Sequence, residues 1–242
     1  MTTDSPERFS ETPNGGLAVV IGASGGVGQA LFWRLSGSTA YAEVLGFSRS
    51  GEPRIDITDE TSVAEAARTI AARGGDLRLV VDATGFLHGL GFMPEKSWTQ
   101  LDPAHMAHAF AVNAIGPALL MKHLLPLLAR SGRAVFATLS ARVGSIGDND
   151  LGGWYSYRAS KAALHQLVRT ASIELRRRRP EAICVALHPG TVDTGLSQPF
   201  GKAGLDVQPP SLAAERLVAV IEGLTLAQSG GAFDHRGEPI PW

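Results

Sequence analysis

A tyrosine and a lysine in the stretch WYSYRASKAAL, residues 154–164, have the types and the spacing for proton transfer. Tyr157 and Lys161 are four residues apart, so on a helix they share one face, with Cβ atoms about 5–6 Å apart. A free phenol has a pKa of about 10, but an ammonium about 4 Å away contributes up to ~4 kcal/mol, enough to bring that pKa near 7. We expect Tyr157 to act as a general acid or base, and Tyr155 to be packing or pocket wall.

A glycine-rich segment, VVIGASGGVGQAL, is the second candidate for binding chemistry. Gly22, Gly26 and Gly28 follow a buried apolar run and precede a helical pattern. Glycines at such a turn let a pyrophosphate approach the helix N-terminus, where free N–H groups and the helix dipole favour anions. The spacing is G-x-x-x-G-x-G, and turn geometry alone is the alternative explanation. The strand before and the helix after it favour a dinucleotide site.

The next apolar run ends in GFSRSG, and this end bears on which dinucleotide is bound. A site selective for NAD usually carries an acid here to hold the ribose 2′-hydroxyl, but Ser48 and Arg49 stand in that place. A guanidinium pairs instead with a 2′-phosphate. We therefore predict a preference for NADPH over NADH, with NAD remaining an alternative.

The order of apolar segments predicts the elements that must position these side chains. Short apolar runs alternate with longer helical patterns from Leu17 onward, which is typical of a parallel sheet covered by helices. We predict an α/β fold with a three-layer, Rossmann-type, doubly wound parallel sheet of about seven strands. Residues 1–14 are expected to be a flexible tail, 15–242 a single domain, and about 195–209 its substrate loop. The seven strands are predicted at LAVVIGA, AEVLGFSRS, PRIDITD, LRLVVDATG, GRAVFATLS, AICVALHPG and GGAFDH.

Composition argues against several other classes of protein. A net charge of -1 gives no global field for nucleic acid or an anionic membrane, so neither is predicted as a partner. The start of the chain lacks the basic and apolar regions of a secretory signal. The most apolar stretch, AIGPALLMKHLLPLLARSG, is interrupted by charged residues and proline. We expect a cytoplasmic protein with no metal site.

Seven motifs in order resemble the short-chain dehydrogenase/reductase superfamily, single-domain branch, over residues 17–242. The motifs are GASGGVG, DIT, VVDATG, VNAIGP, LSARVGS, YSYRASK and HPGTVDT. The closing GGAFDHRGEPIPW, with SARVGSI and GGWYSYRASKAAL, looks like the C-factor-like and carbonyl-reductase-like subgroup. The resemblance implies the fold described above.

The resemblance also implies a role for each catalytic residue. Tyr157 would be the general acid/base, and Lys161 would lower its pKa and hold the nicotinamide ribose. Asn113 would help order the lysine and a relay water. A serine would orient the substrate: Ser140, which ends the predicted strand, is our choice, and Ser145 is the alternative.

The cofactor residues implied by the resemblance extend along the whole chain. Asp56 and Ile57 would lie beside the adenine, and the HPGTVDT turn would hold the nicotinamide carboxamide. The complete predicted set is Gly22, Ser24, Gly25, Gly26, Val27, Gly28, Ser48, Arg49, Asp56, Ile57, Ala83, Thr84, Gly85, Asn113, Tyr157, Lys161, Pro189, Gly190, Val192 and Thr194.

Three departures from the family pattern are visible. Ile21 stands where a threonine usually precedes the first glycine, so one hydrogen bond of the turn is expected to be missing. The usual NNAG segment begins here with Asp82, which is expected to change how the central strand is braced. Ala141 occupies the position of the substrate-orienting serine when the segments are aligned on Gly144.

The function implied by the resemblance is NAD(P)-dependent oxidoreduction. A hydride would pass between NADPH and a ketone, aldehyde or secondary alcohol, with Tyr157 as general acid/base. A homodimer or homotetramer built on the long helices is expected. The three departures leave open an alternative, a nucleotide-binding regulatory or signalling protein with little or no turnover.

Overall fold

The structure is a computed structural model that describes residues 15–198, 200 and 206–242. The predicted tail, residues 1–14, lies outside the described residues, as do residues 199 and 201–205 of the predicted substrate loop. All the elements named below pack around one central sheet or continue from its strands.

Within the described residues, six strands form one parallel sheet. Its strand order is β2, β1, β3, β4, β5, β8, where the numbers follow the chain. A short parallel pair, β6 with β7, forms a separate two-stranded sheet. The strands are β1 (Gly16–Ile21), β2 (Tyr41–Phe47), β3 (Leu77–Asp82), β4 (Ala134–Leu139), β5 (Ala182–His188), β6 (Thr191–Val192), β7 (Val207–Gln208) and β8 (Ala232–Asp234).

Helices cover both faces of the sheet, which gives the three layers that the sequence predicted. Leu31 of α1 and Leu217 of α6 belong to the apolar cluster on one face. Val63 of α2, Leu120 of α4 and Leu164 of α5 belong to the cluster on the other face. The helices are α1 (Gly26–Ser36), α2 (Glu60–Ala71), α3 (Pro103–Phe110), α4 (Gly116–Leu124), α5 (Tyr155–Arg178) and α6 (Pro210–Gly223).

The strand order places a crevice at the end of β1. The chain passes from β1 to β2 on one side and then returns to add β3 on the other side of β1. Loops that follow β1 and β3 therefore leave in opposite directions, and in open α/β sheets ligands bind at such a switch point. The glycine-rich turn follows β1 directly, between β1 and α1.

One predicted strand is wrong. The segment PRIDITD forms only a single bridge, between Ser48 and Arg54, and then turns toward α2. Local hydrogen bonds explain this, because the Asp56 carboxylate accepts bonds from the amide and the hydroxyl of Thr58. Asp59 then caps α2 by accepting from the amide of Thr61. Asp and Thr in such a run favour a turn and a helix cap over a sheet ladder.

The helical run Pro103–Leu127 is long and apolar enough to cross a membrane by composition alone. In this fold it contributes to the core. Leu120 and Leu124 are buried in the cluster beneath the sheet, and Ala111–Ile115 form a π-helical turn that joins α3 to α4. A buried core helix can have the same length and apolar composition as a membrane-spanning helix.

Candidate active site

Tyr157 and Lys161 lie in the first two turns of α5, as their spacing predicted. Both side chains are buried, with Tyr157 9% and Lys161 3% exposed. The Lys161 ammonium donates a hydrogen bond of 2.8 Å to the carbonyl oxygen of Leu139, at the end of β4. Its Nζ is 6.0 Å from the centroid of the Tyr157 ring. The lysine is thus fixed between α5 and the sheet, with the tyrosine ring beside it.

The pKa of Tyr157 differs in direction from the sequence-based expectation. Burial raises the pKa of Tyr157 above its ordinary value of 10.0, because a buried phenolate loses its hydration. Burial lowers the pKa of Lys161 to about 8, and the Asp82 carboxylate opposes that change. The Lys161 ammonium, 6.0 Å from the ring centroid, does not offset this effect of burial on the pKa of Tyr157. In this structure Tyr157 is therefore a protonated acid at neutral pH.

Asn113 is fully buried at the π-helical turn between α3 and α4. Its Oδ1 accepts from the amide of Phe86 and its Nδ2 donates to the carbonyl of Phe86, each over 2.8 Å. Nδ2 also donates to the Ser160 hydroxyl, 3.0 Å away, and that hydroxyl donates to the carbonyl of Tyr157. Asn113 therefore ties the loop after β3 to the helix that carries Tyr157. Turns of π-helix are frequent at functional sites.

Gly85 completes this arrangement. A Cβ placed on Gly85 would lie 3.7 Å from Oδ1 of Asn113 and 3.8 Å from Nζ of Lys161. The VVDATG segment thus passes directly beside both polar groups. Three separate predicted motifs, carrying Gly85, Asn113 and the Tyr157–Lys161 pair, meet at one place.

The two candidate serines occupy different environments. Ser140 lines the same cavity as Tyr157, and its hydroxyl oxygen lies 2.8 Å from Nε2 of His165. Ser145 is buried, accepts a hydrogen bond from the amide of Asp148, and is not among the described residues that line the cavity. The methyl group of Ala141 packs in a small cluster with Leu87 and Tyr157. The geometry therefore favours Ser140 over Ser145.

A cavity of about 760 Å³ opens at the carboxyl ends of the strands, in front of Tyr157. Its wall is mainly apolar and includes the charged residues Arg142, Asp148 and Arg158, and a largely apolar cavity with a few polar groups suits a small organic molecule. The Trp154 and Phe200 rings pack against each other in its wall, with centroids 5.1 Å apart. The lining residues include Ser140, Ala141, Trp154, Tyr157, Val192 and Thr194.

The glycine-rich turn has the shape of a phosphate cradle. Gly22 has φ +83°, a left-handed conformation that favours glycine, and a Cβ on Gly28 would overlap the carbonyl oxygen of Gly22. The first turn of α1 has no acidic residue, and its N-cap, Gly25, provides no side-chain cap. Free N–H groups at a helix N-terminus bind anions. These residues fit the pyrophosphate of a dinucleotide.

The remaining glycine-turn residues lie where the prediction placed them. Ser24, Gly25 and Gly26 are exposed at the start of α1. A Cβ on Gly26 would be 2.6 Å from the methyl carbon of Thr194, so the HPGTVDT turn approaches the glycine turn closely. Val27 lines the cavity together with Thr194. The turn and the cavity are therefore continuous.

Ser48, Arg49 and Asp56 lie together beyond the end of β2. Ser48 is buried, its carbonyl accepts from the amide of Ile55, and Arg49 is exposed. The pKa of Asp56 is lowered, mainly by its hydrogen bonds from Thr58, with Arg49 adding to the effect. Arg49 is thus a nearby cation at the edge where the adenosine end of a dinucleotide is expected.

Ile57 does not present its side chain toward this edge. It is buried in the core cluster, and a Cβ on Gly116 would lie 2.7 Å from its terminal carbon. The side chain therefore fixes α4 against the segment before α2. Any contact of Ile57 with a cofactor would be through its backbone.

The departure at Asp82 has a clear structural consequence. Its carboxylate accepts from the amide and hydroxyl of Thr84, at 3.0 and 2.6 Å, and from the hydroxyl of Thr138 on β4, at 2.7 Å. Burial raises the pKa of Asp82, and these hydrogen bonds and Lys161 oppose that change. Asp82 thus braces β3 against β4 behind Lys161. Ala83, next to it, packs against Gly28.

The departure at Ile21 removes a polar side chain from the start of the turn. Ile21 is fully buried in the core. The turn is instead fastened through backbone bonds, because the amides of Gly22 and Ala23 both donate to the carbonyl of Phe47, at 2.8 and 3.0 Å.

The HPGTVDT turn forms the opposite wall of the site. Gly190 has φ +79°, and the side-chain amide of Gln208 donates to the carbonyl of Pro189 over 2.5 Å. Val192 is buried and pairs with Gln208 between β6 and β7. The segment 195–198 continues from this wall, and His88 reaches it with a 3.1 Å contact to the carbonyl of Gly195.

Two features of the site were missed by sequence reasoning. Glu95 is 2% exposed and accepts from the hydroxyl and the amide of Ser156 at the start of α5, with His105 3.3 Å away. Glu95 lies in the loop segment PEKS, where no repeating pattern of residues indicates that its side chain is buried at the start of a helix. His165, by contrast, follows Lys161 by four residues, so its place on the face of Tyr157 was available from spacing.

The family is shown by comparison with known proteins. A family model described as Enoyl-(Acyl carrier protein) reductase matches residues 39–213. The C-signal protein of Myxococcus xanthus is 39% identical over 144 residues, covering 59% of this chain and 81% of that protein. The 1-hydroxy-2-glutathionyl-2-methyl-3-butene dehydrogenase of Rhodococcus sp. is 32% identical over 193 residues, covering 79% and 80%. The chain therefore belongs to the short-chain dehydrogenase/reductase superfamily.

Solved structures agree with this assignment. The NADPH-bound carbonyl reductase from chicken fatty liver has a TM-score of 0.81 and 25% identity, covering 94% of this chain and 98% of that one. The carbonyl reductase Sniffer of D. melanogaster has a TM-score of 0.79 and 23% identity, covering 94% and 99%, and it supports the fold alone. Together with the relatives named as dehydrogenases, these comparisons identify the chain as an oxidoreductase of the NAD(P)-dependent kind.

Proposed function

We propose that this protein is an NADPH-dependent carbonyl reductase, or the reverse dehydrogenase, acting on a ketone, aldehyde or secondary alcohol. The main observation in support is that Tyr157, Lys161 and Asn113 lie together beside a cavity that continues into the glycine turn. Bound nicotinamide would supply or accept the hydride. The protein's own residues would bind, orient and exchange the proton.

The charge states of the site support the reductive direction. Burial keeps the Tyr157 phenol protonated at neutral pH, and a general acid must hold its proton before it donates it to a carbonyl oxygen. Lys161, whose pKa is about 8, carries an ammonium at neutral pH. That positive charge favours the negative charge left on the phenol after proton donation. Oxidation of an alcohol would require a phenolate and would speed up at high pH.

The choice of NADPH rests on the end of β2. Ser48 and Arg49 directly follow β2, where a site selective for NAD usually carries an acid, and the Arg49 guanidinium matches a 2′-phosphate. The chicken carbonyl reductase binds NADPH and the Burkholderia multivorans neighbour binds NADP. Both observations support NADPH as the working cofactor of this chain.

The substrate class follows from the cavity. Its apolar wall and the aromatic pair Trp154 and Phe200 favour an uncharged organic carbonyl compound. Two relatives are named as dehydrogenases of hydroxyl compounds, one of 1-hydroxy-2-glutathionyl-2-methyl-3-butene and one of cis-4-hydroxycyclohexanecarboxylate, which supports an alcohol and carbonyl pair as the reactants here. We place the reaction in the cytoplasm as part of this proposal.

The test is NADPH oxidation by the purified protein across a panel of ketones and aldehydes, with cofactor binding measured separately. Turnover with at least one carbonyl compound supports the proposal. Tight binding of NADPH without oxidation across the panel would contradict it.

That contrary outcome would favour a second function, a nucleotide-binding regulatory or signalling protein. Two observations support this alternative. Ala141 places a methyl group against Tyr157 where a hydroxyl would aid catalysis, and one relative is named C-signal.

A further inference from the structure

Ser140 and His165 form a buried pair beside the reacting group. His165 is 2% and Ser140 5% exposed, and the Ser140 hydroxyl oxygen lies 2.8 Å from Nε2 of His165. Tyr157, Lys161 and His165 are spaced by four residues along α5 and therefore lie in one row on its face. Ser140 directly follows β4 and lines the cavity in front of Tyr157.

His165 is neutral in this environment and carries a single ring proton. Burial lowers its pKa to about 4, and the Lys161 ammonium adds to that effect. The other ring nitrogen, Nδ1, is buried without a hydrogen-bond partner among the described residues. The ring edge faces the Trp242 ring, with centroids 6.1 Å apart. The position of the one proton therefore decides the direction of the bond to Ser140.

The two possible tautomers have different costs. With the proton on Nδ1, a buried N–H donor has no acceptor, and orphaned buried N–H groups are rare. With the proton on Nε2, the N–H is used in the bond to Ser140, and the unpaired atom at Nδ1 is an acceptor, which is the less costly group to leave unpaired. The environment thus favours the Nε2–H tautomer.

This tautomer determines what the Ser140 hydroxyl can do. A hydroxyl has one proton to donate and two lone pairs that accept. If His165 donates to Ser140, the serine proton is free for an oxygen in the cavity. If Ser140 donates to His165, the Ser140 oxygen presents only lone pairs to the cavity. Those lone pairs would repel a carbonyl oxygen of the substrate as it gains negative charge.

We propose that His165 is a positioning residue that holds the Ser140 hydroxyl as a hydrogen-bond donor toward the substrate oxygen. This pair takes the place of a hydroxyl at position 141, where the methyl group of Ala141 belongs to the same small apolar cluster as Leu87 and Tyr157. The inference rests on the proposed carbonyl reduction, because the substrate oxygen is the acceptor that needs the proton.

The kinetic test is a double-mutant cycle with Ser140→Ala and His165→Leu. Removing one donor to a developing oxyanion lowers kcat by about 100-fold, so each single variant should show a loss of that order with NADPH binding kept within about twofold. The double variant should lie within about threefold of Ser140→Ala, because His165 acts through Ser140. His165→Gln, whose amide N–H can replace the ring donor, should recover most of the loss.

Two kinetic outcomes would overturn the inference. The first is that the losses of the two single variants multiply, which would mean that His165 acts without Ser140. The second is full turnover by Ser140→Ala. If His165→Leu does not fold, the comparison of wild type with His165→Gln and the measurement below decide the question.

A spectroscopic test separates this inference from the proposed function. In protein labelled with ¹⁵N-histidine and free of cofactor, long-range ¹⁵N–¹H correlations report which ring nitrogen of His165 is protonated, and the His165→Gln spectrum identifies its signals. An Nε2–H tautomer supports the inference even if the wild type reduces no carbonyl compound, an outcome that would refute only the proposed function. An Nδ1–H tautomer would overturn the inference whether or not the enzyme is active.

Discussion

At the scale of single residues, the protonation of Lys161 limits what the site can do. Lys161 has a pKa of about 8, because burial disfavours its charged form. Tyr157 keeps its proton to higher pH, since burial acts in the opposite direction on a phenol. Lys161 is therefore the first of the pair to change charge as pH rises, and its ammonium is what favours the charged phenolate.

The first prediction concerns Asp82 and pH. Carbonyl reduction should be constant below about pH 8 and fall above it as Lys161 loses its proton. The Asp82 carboxylate raises the pKa of Lys161, so Asp82→Asn should move this fall to lower pH. The measurement is kcat against pH for both proteins. An unchanged midpoint in Asp82→Asn would show that Asp82 does not act on Lys161.

The second prediction concerns Arg49 and cofactor choice. Arg49→Asp should weaken NADPH binding about tenfold or more and strengthen NADH binding, because it replaces a partner of the 2′-phosphate with a partner of the 2′-hydroxyl. Isothermal titration with each cofactor gives the two Kd values. Arg177→Asp, an equal charge change on an exposed part of α5, is the control. A Kd ratio unchanged by Arg49→Asp removes the claim.

The residue scale also shows what sequence could and could not predict. Helical spacing predicted that Tyr157 and Lys161 share one face, and the family resemblance implied that Asn113 joins them at one site. The direction of the Tyr157 pKa shift could not be predicted, because it depends on how deeply the folded chain buries the phenol. The hydrogen bond between Ser140 and His165 could not be predicted either, because β4 and α5 come into contact only in the folded protein.

At the scale of elements, the start of α5 is held by a buried polar group. The Glu95 carboxylate accepts from the amide and hydroxyl of Ser156, and the carbonyl of Glu95 accepts from the amide of Trp154 over 2.5 Å. Trp154, the N-cap of α5, has φ +52° and provides no side-chain cap. A carboxylate at a helix N-terminus satisfies free N–H groups and interacts favourably with the helix dipole.

The third prediction is that Glu95 positions Tyr157 through α5. Glu95→Ala should lower the free energy of unfolding by about 1–3 kcal/mol, because Ser156 loses its buried acceptors. It should also lower kcat more than it weakens NADPH binding. Urea titration and steady-state kinetics measure the two effects, and Glu174→Ala, an exposed change farther along α5, is the control. Wild-type kcat in a destabilised Glu95→Ala protein would mean that Glu95 serves stability alone.

Element prediction from sequence succeeded where apolar runs were long. β1, β3, β4 and β5 are buried along almost their whole length and were expected from continuous apolar segments. The segment PRIDITD has only two strong strand formers, Ile55 and Ile57, and its polar side chains bond locally instead. A short mixed segment cannot reveal from its own residues whether a neighbouring strand will pair with it.

At the scale of the whole molecule, the parallel sheet gathers groups that are distant in sequence. The glycine turn follows β1, Gly85 follows β3, Ser140 follows β4 and the HPGTVDT turn follows β5, so all four lie at one edge. α5 brings Tyr157 to the same edge from outside the sheet. Substrate and cofactor residues therefore share one crevice because parallel strands all end on the same side.

The fourth prediction concerns assembly. A groove between α4 and α5 is lined by the half-buried apolar residues Ala118, Leu125 and Ala171, with the charged residues Lys122, Glu174, Arg178 and Arg179 around them. We expect this face to form a homodimer, so light scattering should give about twice the 25.5 kDa mass of the chain. Ala171→Arg should yield a monomer, because two arginines would be buried against each other. A monomeric wild type would contradict this expectation.

The most direct test of the central claim is the single-turnover rate of NADPH oxidation by Tyr157→Phe with a carbonyl compound that the wild type reduces. Removal of the phenolic hydroxyl deletes the proposed proton donor and leaves a ring of nearly the same shape. We expect a rate at least about 100-fold lower, with the Kd for NADPH within about threefold of wild type. A Tyr157→Phe protein that reduces the same compound at the wild-type rate would contradict it.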